Sequence, residues 1–153
     1  MKKVISFQLL LILILAFLWA LGPLKWMPPW LEDYQPVISC ILIATLAGVL
    51  YCIRAVYINY CVNKNWDERW EIWYYLRPLA SAIAGFAAYI FLKVGIVALG
   101  ASEGGETGFY GYLALSFIAG YNVDRFLKKI EDIAKSKLGV EQSHASGASK
   151  DEA

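Results

Sequence analysis

Histidine occurs once, at His144, and cysteine only at Cys40, Cys52 and Cys61. No two cysteines form a C-x-x-C pair, so the spacing of a zinc or dithiol centre is missing. The three thiols lie in or beside one apolar run and read as small apolar residues. There is no Gly-rich phosphate loop, no H-E-x-x-H and no G-x-S-x-G. Charge is scarce as well, at 18% of residues. Soluble domains carry about 25%. No cofactor, no metal and no nucleic-acid partner is expected from this inventory.

Apolar residues make up 59% of the 153 positions, against roughly 45–50% in soluble domains. They lie in long runs separated by charged clusters, the pattern of a polytopic all-α membrane protein. Four spans are expected, at about 4–22, 36–60, 78–100 and 108–127. The first has a run too long for a signal-peptide h-region, with Trp19 and Pro23 where cleavage would fall, so it reads as an uncleaved anchor. Pro78 is expected in the first turn of the third span. Residues 1–139 then form one transmembrane domain, and 140–153, small and polar without apolar period, a disordered tail.

Loop charges orient the spans. Lys2 and Lys3, then Arg54, Lys64, Arg69 and Arg77, then Arg125, Lys128, Lys129, Lys135, Lys137 and Lys150 fall on one side. These are twelve of the fourteen basic residues, so both termini are expected in the cytoplasm. Trp66, Trp70 and Trp73 share i, i+4, i+7 spacing, and Asn65 can cap a helix there. NWDERWEIWYYL is therefore predicted to form a separate interfacial helix between spans 2 and 3. The sharper alternative for its tryptophans is an aromatic cage for a quaternary ammonium ligand.

Small residues four apart, Ala44 and Gly48, Ser81 and Gly85, Ser116 and Gly120, are candidates for close helix packing. Past the fourth span, Val123, Phe126, Leu127, Ile130 and Ala134 form an apolar stripe on an amphipathic extension, 123–138. Asp124–Lys128 and Glu131–Lys135 are supporting i, i+4 pairs. Asp124, Arg125, Arg77 and Arg54 meet at the inner boundary as a candidate ion-pair group. Lys93, Glu103 and Glu106 are candidates for an outer mouth, where carboxylates would concentrate cations.

W-Y-Y-L-R-P-L at 73–79 and F-I-A-G-Y-N-V-D-R-F at 117–126 resemble the C-terminal half of small uncharacterised bacterial multi-pass membrane proteins. Those end in an Ala-Gly-aromatic helical turn followed by Ser-Glu-Arg-Phe. Here Asn122-Val123-Asp124-Arg125 stands in its place. The resemblance implies a bacterial inner membrane and carries no activity. Too little chain lies outside the membrane for a separate enzyme domain, so catalysis is not expected. Two functions fit. One is a small oligomeric pore or channel that alters membrane permeability. The other is a non-catalytic adaptor docking a membrane or cytoplasmic partner through the amphipathic extension.

Overall fold

The structure, a computed structural model, describes residues 2–21, 33–93, 95 and 106–138. Among them lie five α-helices and no strand. They are α1 (Lys2–Leu21), α2 (Gln35–Val56), α3 (Glu71–Lys93), α4 (Glu106–Tyr121) and α5 (Val123–Leu138). Three stretches are long and apolar enough to cross a membrane: Lys2–Ala20, Gln35–Val62 and Glu68–Lys93. The chain divides into two compact units, Met1–Val123 and Asp124–Ala153.

Pro36 sits in the first turn of α2, where a missing N–H costs nothing. The helix then widens into a π-helical turn, Tyr57–Val62. The Asn63 N–H bonds back to the Ile58 carbonyl (2.9 Å) and the Asn65 N–H to that of Asn59 (3.0 Å). Between them Lys64 takes a left-handed backbone, φ 49°. This is a Schellman-like closure, one residue wider because the preceding turn is wide.

That closure reshapes the connection to α3. No separate interfacial helix forms between spans 2 and 3. The Asn65 N–H bonds back to the Asn59 carbonyl, so Asn65 belongs to the close of α2. Asp67 is the cap instead, its Oδ1 accepting the Arg69 N–H at 2.9 Å, and one 3₁₀ turn (Glu68–Trp70) leads into α3. Trp66 therefore lies outside any helix. Pro78 falls inside α3, seven residues after its start, and not in a first turn. Lys93 ends α3, with Gly95 just beyond at φ 71°, its N–H on the Leu92 carbonyl (3.0 Å). The expected fourth span, 108–127, is divided at Asn122, a turn between α4 and α5. Residues 96–100 and the tail at 140–153 lie outside the described residues.

In the first unit α2, α3 and α4 pack on one another, and α1 packs on α2 and α3. α1 keeps Leu9, Leu10, Leu13 and Phe17 exposed and buries Val4, Gln8 and Leu15. An apolar outer surface of this kind suits hydrocarbon and not water. Where α2, α3 and α4 meet, the residues are small. A Cβ on Gly48 would strike the side chain of Ser81, and one on Gly85 would strike Ala44 and the Cys40 carbonyl. A Cβ on Gly120 would strike the Ala44 backbone, with the carbonyl carbon at 2.7 Å. Backbone cannot move aside as a side chain can. Gly120→Ala should therefore cost about 3 kcal/mol, the upper end for overpacking, and Gly48→Ala about 1–2 kcal/mol. Ser81→Gly should relieve Gly48→Ala and leave Gly120→Ala unrelieved. Unfolding titrations in detergent micelles check this order, and equal costs at the two glycines would refute it.

Candidate functional site

An α-helical N–H bonds the carbonyl four residues earlier. Pro78 has no N–H, so the Tyr74 carbonyl loses its helical donor. Two other helices supply substitutes. Gln8 Nε2 of α1 donates to it at 2.8 Å, and the Cys52 thiol of α2 approaches at 3.8 Å, a weak S–H donor. Gln8, Cys52 and Tyr74 are all buried, and Val4 and Val56 close the site on its apolar side. The T-shaped pair of Phe7 and Tyr75, ring centres 4.9 Å apart, adds a second tie between α1 and α3.

One turn along, Arg77 is buried, 1% exposed. Its guanidinium lies over the Tyr51 ring at 4.3 Å and the Trp73 ring at 5.3 Å. Its Nη2 donates to the Tyr121 carbonyl at 3.3 Å. That carbonyl ends α4, where helical acceptors lack internal partners and the helix dipole is negative. Ser81 Oγ donates to the neighbouring Gly120 carbonyl at 2.8 Å. Arg54 Nη1 donates to the Tyr121 hydroxyl at 2.8 Å, and Tyr51 meets the Tyr121 ring edge-on at 5.7 Å. A charged side chain in a membrane helix costs about 2.5–3.5 kcal/mol at the bilayer centre. Cation–π faces at about 0.5–2 kcal/mol and a charged hydrogen bond at about 1.5–3 kcal/mol are large enough to offset it.

The buried polar side chains Gln8, Arg77, Ser81 and Ser116 obey one rule: each donates to a backbone carbonyl of another helix. For Ser116 the acceptor is Gly85, at 3.4 Å. Each therefore ties one helix to the backbone of another. Among the described residues no three His, Cys, Asp or Glu side chains converge as metal ligands would.

Of the residues that stand out in the sequence, Ala44, Gly48, Ser81, Gly85, Ser116 and Gly120 come together where α2, α3 and α4 cross. Arg54 and Arg77 converge on Tyr121. Asp124 and Arg125 are exposed residues of α5 and belong to the second unit. Lys93 is exposed at the end of α3, Glu106 opens α4, and Glu103 lies outside the described residues. Sequence reasoning missed Gln8, Cys52, Tyr51 and Tyr121. A proline inside a helix signals an orphan carbonyl, and Gln8, a strong polar donor within an apolar run, was the visible answer to it.

Comparison with protein-family models, with curated proteins and with solved structures finds no match. The class is therefore defined by the helices themselves: among the described residues the chain is all-helical, with three helices long and apolar enough to cross a membrane.

The Tyr74 node makes a coupled prediction. Gln8→Leu should lower stability by about 1 kcal/mol, the scale of hydrogen bonds within membranes. Pro78→Ala restores an N–H for the same carbonyl, so Gln8→Leu should then cost measurably less. The coupling decides, because removing Gln8 also removes its buried, unpartnered Oε1. An equal cost of Gln8→Leu in both backgrounds, measured by unfolding in micelles, would refute the assignment.

Proposed function

We propose that this chain is a four-span protein of a bacterial inner membrane, with both termini cytoplasmic, that serves as a non-catalytic adaptor. The observation that carries the adaptor reading is α5. It is a 16-residue helix that belongs to the second unit from Asp124 onward, and it combines an apolar stripe with a charged face. Leu127 on that stripe is exposed. The interior of the helix bundle supports the same choice. Where α2, α3 and α4 cross, small residues lie in close contact and serine donors bind carbonyls of neighbouring helices, the arrangement of a packed scaffold.

The fourth span is α4. Its 16 residues cover ~24 Å, short of the ~30 Å hydrocarbon layer, yet it is seated against α2 and α3 and turns Tyr110 and Ile118 outward. The distribution of basic residues supports cytoplasmic termini. The bond from Gln8 to Tyr74 supports α1 as a retained part of the protein, since its removal would leave that carbonyl only the weak Cys52 thiol donor. The bacterial setting rests on the resemblance of 73–79 and 117–126.

A pore assembled from several copies is the second reading. Lys93, exposed at the end of α3, and Glu106, at the start of α4, favour it, with Glu103 between them in sequence. Two measurements separate the readings. Single cysteines at Leu127, Ile130 or Ala134 should resist a maleimide in native membranes and react in liposomes that hold this protein alone. Equal reaction in both would refute docking. Ion conductance of the purified protein in planar bilayers, abolished by Glu103→Gln with Glu106→Gln, would establish the pore in its place.

A further inference from the structure

A cavity of about 190 Å³ lies between the π-helical turn, the loop after it and the start of α3. It is lined by Asn59, Asn65, Trp66, Asp67, Trp70 and Tyr74. This lining has three aromatic rings, one carboxylate, two carboxamides and no cationic side chain. We propose that the cavity binds a small organic ammonium group, whether on a free cation or on a lipid headgroup.

The rings are held in place before any ligand arrives. Tyr74 is 2% exposed, its hydroxyl accepts Asn59 Nδ2–H at 3.1 Å, and its ring stacks on Trp66 at 5.6 Å and 9°. Trp66 also packs against the cluster of Val4, Cys52 and Val56. Asp67 is fixed by its bond to the Arg69 N–H, which uses one of its two oxygens. Asn59 spends its amide N–H on Tyr74 and keeps its Oδ1 as an acceptor. Aromatic faces attract ammonium groups through the ring quadrupole, and a carboxylate beside them excludes anions. A hard inorganic cation would need six or more oxygen ligands, and one carboxylate with two carboxamides falls short. The loop that builds this wall is the one set by the left-handed Lys64. The site shares Tyr74 with the carbonyl tie to Gln8 and does not depend on the adaptor reading.

The test uses the full chain in maltoside micelles and follows tryptophan emission. Choline chloride should produce a saturable change. Its neutral carbon isostere, 3,3-dimethyl-1-butanol, should not, and neither should sodium chloride at matched ionic strength. Trp70→Leu should weaken the response about fivefold, the loss of one cation–π face. Asp67→Asn keeps the acceptor for Arg69 and removes only the charge, and it should weaken binding with a smaller effect at high salt. Both positions are exposed, so the variants keep the fold. A response to choline that is lost in phosphatidylcholine nanodiscs and kept in phosphatidylglycerol nanodiscs identifies a lipid headgroup as the occupant. Equal responses in both identify a free cation. An equal response to the neutral isostere, no response to choline, or binding unchanged in both variants would overturn the proposal.

Discussion

One backbone carbonyl organises the first unit. Pro78 strips Tyr74 of its helical donor in a setting where no bulk water can replace it. An orphan carbonyl buried in apolar surroundings costs several kcal/mol. Gln8 reaches it from 66 residues away in sequence, and Cys52 from 22. The bond therefore joins α1, α2 and α3 at one atom. It also fixes the backbone that carries the Tyr74 side chain, whose hydroxyl and ring hold Asn59 and Trp66. The shape of the loop between α2 and α3 thus depends on a proline inside the next helix.

Small residues and directional bonds do separate work in this bundle. Gly48, Gly85 and Gly120 let backbones approach, which raises dispersion contact but is tolerant of sliding and rotation. The bonds from Ser81 to Gly120 and from Ser116 to Gly85 admit one register. Each hydrogen bond is worth only about 0.6 kcal/mol on average within a membrane. Their contribution is more to uniqueness than to depth of the energy well. Arg77 adds the same kind of constraint at the end of α4, through a flat guanidinium held between Tyr51 and Trp73. A lysine could not reproduce that stacked geometry.

Much of the architecture was legible in the sequence because it depends on local composition. Apolar length marks α1, α2 and α3, and the three small-residue pairs sit where α2, α3 and α4 cross. What escaped was non-local. Pro78 read as a helix start because an interior proline is costly in isolation, and the donors that remove the cost lie on other helices. Asn65 read as a cap because nothing in its own sequence reveals that it closes a π-helical turn and that the next helical turn begins only after Asp67. Arg77 read as a boundary charge because its burial depends on Tyr51 and Tyr121, which approach only after α2 and α4 pack. Trp66 and Trp70 share a site with Tyr74 and not with Trp73, since Trp66 leaves the helical period and Trp73 turns to Arg77.

The distribution of donors and acceptors also separates structure from candidate function. A polar side chain that ties a carbonyl has no donor to spare for a ligand, and this describes Ser81 and Ser116 inside the bundle. Around the α2–α3 loop the balance reverses. Asp67 and Asn59 are acceptors with an oxygen each beyond the bond they make, and the rings of Trp70 and Trp66 add negative faces. Spare acceptors beside aromatic faces suit a positively charged group. Asn59 and Asn65 also form the backbone bond that closes α2, so the wall is built from helix-ending residues already held rigid. Preorganisation of that kind lowers the ordering cost of binding. Among the described residues the loop thus combines a rigid frame with acceptors beyond its own bonds, which is what an ammonium ligand would use.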